Sequence, residues 1–223
     1  MAGRTTRYER AFEAHLARRG VPFVSIEQAR RALLPRGAAL AAEHIGAGGD
    51  RTPAVVKSFD AVLYGDDRPG REHHLLVEVK GRKLSPRRTP PAGARRLESW
   101  ATLDDIESLT NWTRLFGPPF RGALVFLYEM PAGEACSAFE EVIEHDGLRY
   151  GVRAIEISQY RAAMKTRSPR WRTVDLPAAE FVARSGPLID GPGALMPARS
   201  ARGEVPSGDR SFTPRAERVS MMT

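Results

Sequence analysis

The chain has a single cysteine, Cys136, among its 223 residues, so it has no internal disulfide. This is typical of proteins from a reducing compartment. No cysteine–histidine cluster is present, and the sequence therefore gives no reason to expect a structural zinc site. The longest apolar run, 123–128, is far shorter than the roughly 20 residues that a membrane-spanning helix needs. The first ten residues lack the apolar core of a signal peptide, so we expect a cytoplasmic protein with no membrane partner.

Acidic residues are too few to balance the basic ones. The 27 Asp and Glu face 34 Lys and Arg, which gives a formal net charge of +7. This balance favours a polyanionic partner such as DNA, although a basic surface alone is only an argument about steering and solubility. From residue 185 onward Pro, Gly, Ser and Arg dominate. We therefore expect one folded domain at residues 1–184 and a disordered tail at residues 185–223.

The most informative stretch is a predicted β-hairpin. Two runs with strand character, 54–64 and 73–82, flank a turn region of Gly, Asp and Pro. Alternation along the second strand places Glu78 and Lys80 on the same side. On the first strand, Asp60 is an acid inside an otherwise apolar run. Burying an unpaired carboxylate is costly, and a divalent metal shared with Glu78 would compensate Asp60.

An acid on one strand followed by Glu-x-Lys on its hairpin partner resembles the PD-(D/E)xK nuclease superfamily. The pattern here reads Ser58-Phe59-Asp60 and then Glu78-Val79-Lys80, without the Pro that usually precedes the Asp. The resemblance implies a restriction-endonuclease-like fold, an α/β three-layer sandwich with a central mixed β-sheet flanked by helices. The alternative interpretation of Glu78 and Lys80 is a cross-strand salt bridge on a solvated face.

A first helix is predicted over 6–19, with Thr6 and Glu9 at capping-box spacing. A glutamate of the first helix often joins the metal site in nucleases of this superfamily. Glu9 lies about 60° from the centre of the apolar stripe and Glu13 about 100°, so Glu9 is the better candidate. The alternatives are that Glu9 only caps the helix and that Glu13 is a surface acid.

The stretch Tyr8-Glu9-Arg10-Ala11-Phe12-Glu13 also resembles the motif of the HYExAFE family of uncharacterised bacterial proteins. The similarity extends to 57–60, 79–82 and 167–171. Arg7 stands where that motif has His, so no role of the His is carried over. This second resemblance implies no known activity.

Basic residues around the hairpin are candidates for contacts with DNA phosphates. These nucleic-acid-binding candidates are Lys57, Arg82, Lys83, Arg87 and Arg88. The alternative for the basic loop after Lys83 is a solvated surface loop. The stretch 167–171 combines arginine with Trp171, a composition suited to base stacking and phosphate contact. The alternative is that Trp171 belongs to the core and the arginines form its solvated rim.

The remaining segments complete the α/β pattern. Helices are predicted over 25–34, 102–116, 158–165 and 176–184, a strand over 121–130, and a hairpin around 146–147. Residues 37–53 are interpreted as a mobile insertion. On the 102–116 helix, Asp105 or Asn111 could reach the site, but packing alone is the favoured interpretation.

The leading hypothesis is a nuclease that hydrolyses DNA phosphodiester bonds and depends on Mg²⁺ or Mn²⁺. Asp60, Glu78 and Glu9 would hold the metal, and Lys80 would orient water or stabilise the transition state. The alternative is a non-catalytic nucleic-acid-binding module of the same fold, and a protein-binding scaffold is a third possibility. The sequence is compatible with a homodimer.

Overall fold

The computed structural model describes residues 6–33, 41–45, 51–55, 57–65, 73–84, 96–133 and 139–196. The helices are α1 (Arg7–Arg18), α2 (Ile26–Leu33), α3 (Leu103–Phe116), α4 (Ile157–Ala163) and α5 (Ala178–Arg184). The strands are β1 (Phe23–Ser25), β2 (Ala41–Ile45), β3 (Arg51–Val55), β4 (Ala61–Leu63), β5 (His74–Lys83), β6 (Ala101–Thr102), β7 (Phe120–Glu129), β8 (Val142–His145), β9 (Leu148–Glu156), β10 (Lys165–Ser168) and β11 (Thr173–Asp175). Within these ranges no helix has the length and apolar composition needed to cross a bilayer.

A six-stranded sheet forms the centre of the domain, in the order β1-β4-β5-β7-β9-β8. Its two long central strands, β5 and β7, run parallel, whereas every other neighbouring pair is antiparallel. Strand β7 is buried over most of its length. A strand covered on both faces needs apolar side chains throughout, which explains the continuous apolar run at 123–128.

Helices cover both faces of this sheet. Helix α1 packs on one face through its apolar stripe, in which Ala11, Phe12 and Leu16 are almost fully buried. Helices α3, α4 and α5 pack on the other face through Ile106, Leu109, Ile157, Tyr160 and Phe181. The predicted α/β three-layer sandwich with a central mixed sheet is therefore confirmed.

Local signals in the sequence fix several element boundaries. The Thr102 side chain accepts the Asp105 N–H at 3.1 Å and the Asp105 carboxylate accepts the Thr102 N–H at 3.1 Å, so α3 begins with a capping box. Between β8 and β9, Asp146 and Gly147 have φ angles of 49° and 73°, as a two-residue hairpin turn requires. The predictions for this helix and this hairpin are confirmed.

The predicted strand over 54–64 is wrong in its extent. Strand β3 ends at Val55, and β4 begins only at Ala61. The predicted mobile insertion, 37–53, contains β2 and the first three residues of β3. These two strands pair with each other as a two-stranded antiparallel sheet. The break before β4 has a local cause, because the Asp60 side chain accepts the Val79 N–H in place of a backbone carbonyl.

The segment 185–196 does not behave as part of a disordered tail. Leu188, Ile189 and Met196 are 0, 2 and 3% exposed and pack in the core cluster on the α1 side of the sheet. The folded domain therefore continues past the boundary predicted after residue 184. The segment has few large apolar side chains, but nearly all of them are buried. Residues 197–223 lie outside the described residues, and disorder there stays a prediction.

Candidate active site

The β4–β5 hairpin brings the predicted acids together. The two strands pair antiparallel with Ala61 opposite Val77, which confirms the predicted hairpin. Just before β4, the Asp60 N–H donates to the Val77 carbonyl at 2.9 Å. Its carboxylate Oδ2 accepts the Val79 N–H at 2.6 Å. Asp60 is thus held at the start of β4 by hydrogen bonds to the residues on either side of Glu78.

Glu78 and Lys80 lie on the same side of β5, as predicted. The Lys80 Nζ is 2.7 Å from the Glu78 Oε1, and the two side chains are 13% and 8% exposed. The pair therefore does not lie on a solvated face. Ion pairs this well buried stabilise little in themselves, and removing one partner is costly.

Asp105 in the first turn of α3 completes a network of charges with Lys80. Its Oδ2 is 2.6 Å from the Lys80 Nζ, and its Oδ1 bonds to the Lys57 Nζ. The Lys57 Nζ is also 3.1 Å from the Glu78 Oε1. Two lysines and two carboxylates therefore balance one another. The expectation that α3 only packs is wrong for Asp105, and the sequence offers only its capping-box spacing as a signal.

The pKa values within this network follow from burial and charge. Burial raises the pKa of Asp105, but the Lys80 and Lys57 ammonium groups outweigh it and hold that pKa at about 2. Burial lowers the pKa of Lys57, but the charges of Glu78 and Asp105 outweigh it and raise that pKa. Asp105 and Lys57 therefore both stay charged around neutral pH.

Asp60 behaves in the opposite way. Burial first, and then the charge of Glu78, raise its pKa to about 8, and the charge of Glu9 contributes in the same direction. The Val79 N–H and the Lys80 charge lower this pKa without compensating. Without a cation beside it, Asp60 therefore holds its proton to higher pH than an ordinary aspartate does.

An acidic cleft lies between α1 and the hairpin. It has a volume of about 170 Å³, and four of its lining residues are the acids Glu9, Glu13, Glu27 and Asp60. The Glu9 Oε1 accepts the Thr6 hydroxyl at 2.8 Å. Glu13 accepts the Gln28 amide at 3.1 Å. Both glutamates line the cleft, and the charge of Glu9 is among the causes that raise the pKa of Asp60.

The carboxylates have the chemistry of a site for a hard divalent cation. Asp60 Oδ1, Glu78 Oε2 and Glu9 Oε2 have no hydrogen-bond donor among the described residues. The ligand atoms of Asp60, Glu78 and Glu9 do not all lie within 4.8 Å of one another. Among the described residues, that close arrangement is found for His15, Glu141 and Asp190. Holding one cation between the three carboxylates therefore requires a rotamer change, for instance of Glu9 away from Thr6.

The group of His15, Glu141 and Asp190 was missed by the sequence analysis. The His15 Nε2 is 2.8 Å from the Glu141 Oε1, and Asp190 forms an ion pair with Arg19. The Glu141 Oε2 accepts the backbone N–H groups of residues 188 and 189 at 2.6 and 3.0 Å. All three side chains have hydrogen-bond or ion-pair partners within the protein. We therefore interpret the cluster as a set of contacts that holds the segment 185–196 against α1.

The predicted phosphate-binding residues have diverse surroundings. Arg82 donates to the backbone oxygens of Gly81 and Trp100, and its guanidinium lies 4.0 Å from the centre of the Trp100 ring. Burial lowers the pKa of Arg82. The Lys83 side chain is 74% exposed, with Glu129 at 3.9 Å. Lys57 belongs to the charge network described above. Arg87 and Arg88 lie outside the described residues.

No family model matches the chain, so the resemblance to the HYExAFE family is not supported, and no curated protein matches it either. Among solved structures, the chain is similar to Hjc, a Holliday junction resolvase from the archaeal hyperthermophile Archaeoglobus fulgidus. The identity is 15% and the TM-score 0.40, over 80% of this chain and 92% of that chain.

Proposed function

We propose that this protein is a metal-dependent nuclease that hydrolyses phosphodiester bonds of DNA at the site of Asp60, Glu78 and Lys80. The observation that carries the proposal is the position of Asp60, a partly buried carboxyl that accepts the Val79 N–H at 2.6 Å and whose pKa is raised by desolvation and by the charges of Glu78 and Glu9. A carboxyl there opposes folding whenever it ionises. A divalent cation at the same place would turn this unfavourable arrangement into a binding site.

Asp60, Glu78 and Glu9 would hold Mg²⁺ or Mn²⁺, because Mg²⁺ prefers a few carboxylates together with water and phosphate oxygens. The bound cation supplies a Lewis acid that stabilises negative charge on the phosphoryl group in the transition state. Lys80 orients the attacking water or stabilises the same charge with its ammonium group. Asp105 positions Lys80 from the side of α3, at 2.6 Å, so the ammonium is fixed before the substrate arrives.

The alternative is a non-catalytic DNA-binding module. One observation favours it: Lys80 already has two carboxylate partners, Glu78 and Asp105, so its charge is balanced without a substrate. In that case the network would be a structural element, and DNA would be bound by the basic surface alone.

The experiment that separates the two functions is cleavage of linear duplex, single-stranded and branched DNA with Mg²⁺, Mn²⁺ or EDTA. We expect cleavage with either metal, none with EDTA, and none in Asp60→Asn or Glu78→Gln. The matched control is Asp104→Asn, since Asp104 is 63% exposed on the same helix as Asp105. DNA binding without cleavage under all conditions would establish the binding module instead.

A further inference from the structure

Trp171 is the most exposed of the large apolar residues among the described residues. Its side chain is 70% exposed, in the turn between β10 and β11. It is therefore not a core residue, contrary to the structural alternative considered from the sequence. The guanidinium of Arg170 lies 5.2 Å from the centre of the indole ring. This contact orders the ring while most of its surface stays accessible.

The surroundings of Trp171 are basic. Lys165, Arg167 and Arg170 are exposed, and no carboxylate of the described residues lies within ion-pair distance of them. Arg172 differs, because it forms ion pairs with Asp104 and Glu107 at 3.0 and 3.7 Å. Asp175 is the cross-strand neighbour of Lys165 without forming an ion pair with it. Three exposed cations in the same hairpin as an exposed aromatic ring favour a ligand that offers both negative charge and a flat apolar face.

The hairpin of β10 and β11 that carries Trp171 is in contact with the elements of the candidate active site. Strand β11 pairs with β6, and the Leu103 N–H at the start of α3 donates to the Arg172 carbonyl at 2.7 Å. The same first turn of α3 carries Asp105, which contacts Lys80. A second connection runs through Trp100, which has Arg167 at 5.7 Å and Arg82 at 4.0 Å from its ring centre.

We propose that Trp171, Lys165, Arg167 and Arg170, here called the Trp171 surface, bind an unpaired strand of DNA. One base would stack on the indole ring, and the three cations would contact neighbouring phosphates. In a duplex the flat faces of the bases are covered by their neighbours, whereas an unpaired base offers its face to an aromatic ring. The inference deepens the proposed function, because it names the part of a DNA substrate that is held beside the site.

The test measures binding of a fluorescent single-stranded oligonucleotide, and of its duplex, by anisotropy in EDTA. Trp171→Ala should weaken single-strand binding about tenfold, because stacking contributes about 1–3 kcal/mol per base. Trp171→Phe should retain most of the affinity. The matched control is Leu115→Ala, whose side chain is 65% exposed on α3, and it should bind like wild type. Arg167→Ala and Arg170→Ala should each lower the salt dependence of binding, by about 0.7 in the log–log slope.

Three outcomes would overturn the inference. They are unchanged binding by Trp171→Ala, an equal loss of affinity for the duplex, and an equal loss in Leu115→Ala. Since no metal is present, the result does not depend on catalysis. Binding that requires Trp171 without any metal-dependent cleavage would disprove the proposed nuclease and retain the Trp171 surface. Cleavage with binding independent of Trp171 would disprove the surface and retain the nuclease.

Discussion

Replacing Asp60 by Asn should make the metal-free protein more stable at neutral and mildly alkaline pH. The pKa of Asp60 is about 8 in the folded protein, against about 3.9 in an unfolded chain. Between these two values the unfolded chain has released a proton that the folded protein still binds. The free energy of unfolding therefore falls as the pH rises from about 4 to about 8. Asn has no proton to lose, and its amide oxygen can still accept the Val79 N–H.

The size of the effect follows from the same shift. Each pH unit between the two pKa values corresponds to about 1.4 kcal/mol, which gives a ceiling of roughly 4 kcal/mol at pH 7. Relaxation and water penetration reduce such ceilings, and we expect a measured gain of about 1–3 kcal/mol. The gain should fall to a few tenths of a kcal/mol near pH 4, where the carboxyl is protonated in the folded protein and in about half of the unfolded molecules.

The assay is urea unfolding followed by circular dichroism at pH 4, 6 and 8 in EDTA. Glu144→Gln serves as control, because Glu144 is 72% exposed and its replacement should give a small difference that does not grow with pH. Adding Mg²⁺ should stabilise wild type, by mass action, and leave Asp60→Asn unchanged. If Asp60→Asn is less stable than wild type at pH 8 in EDTA, or differs from it equally at all three values, the reasoning about the buried carboxyl is refuted.

Three further predictions concern the charge network, the C-terminal segment and the contact of α1 with the sheet. Lys80→Met should abolish cleavage and lower the free energy of unfolding by about 3–5 kcal/mol. Lys57→Met, at a side chain 49% exposed, should cost about 1 kcal/mol or less in urea unfolding and retain activity. A chain ending at Met196 should melt at the same temperature as the full chain. A chain ending at Arg184 loses three buried side chains, and its free energy of unfolding should fall by an amount on the order of 5 kcal/mol. Equal melting temperatures of the two truncated chains would contradict the packing of 185–196. Gly81→Ala should destabilise the protein by about 1–3 kcal/mol in thermal denaturation, because the added Cβ would collide with the Tyr8 ring. In the control Gly186→Ala the added Cβ has no contact closer than 3.6 Å, so its stability should be unchanged.

The features predicted correctly from the sequence depend on neighbours along the chain. The capping box of Thr102 and Asp105 involves residues three apart, and the turn at 146–147 needs only two residues with positive φ. The hairpin of β4 and β5 joins segments close in sequence, and side-chain alternation then places Glu78 beside Lys80. Such short-range patterns are visible without knowledge of the whole fold.

The features that were missed, or offered only as alternatives, depend on packing between distant segments. Asp105, one of two residues of α3 that the sequence named as able to reach the site, contacts Lys80 only because α3 packs on the sheet. His15 and Glu141 are 126 residues apart, and their contact depends on where the chain between them returns. The exposure of Trp171 has the same origin, since composition cannot tell a buried tryptophan from one in a turn at the surface.

Asp60 matters for both the fold and the candidate site, because one hydrogen bond of its side chain contributes to both. Its carboxylate takes the place of a backbone carbonyl as the acceptor of the Val79 N–H, at the point where β4 begins. An apolar residue at position 60 would leave that N–H without its acceptor, whereas the Asp60 carboxyl satisfies it and adds an ionisable group to the cleft that Glu9 also lines. The acid that interrupts the apolar run therefore lies where the pairing of β4 with β5 ends. The same side chain satisfies the Val79 N–H there and lines the cleft that Glu9 also lines.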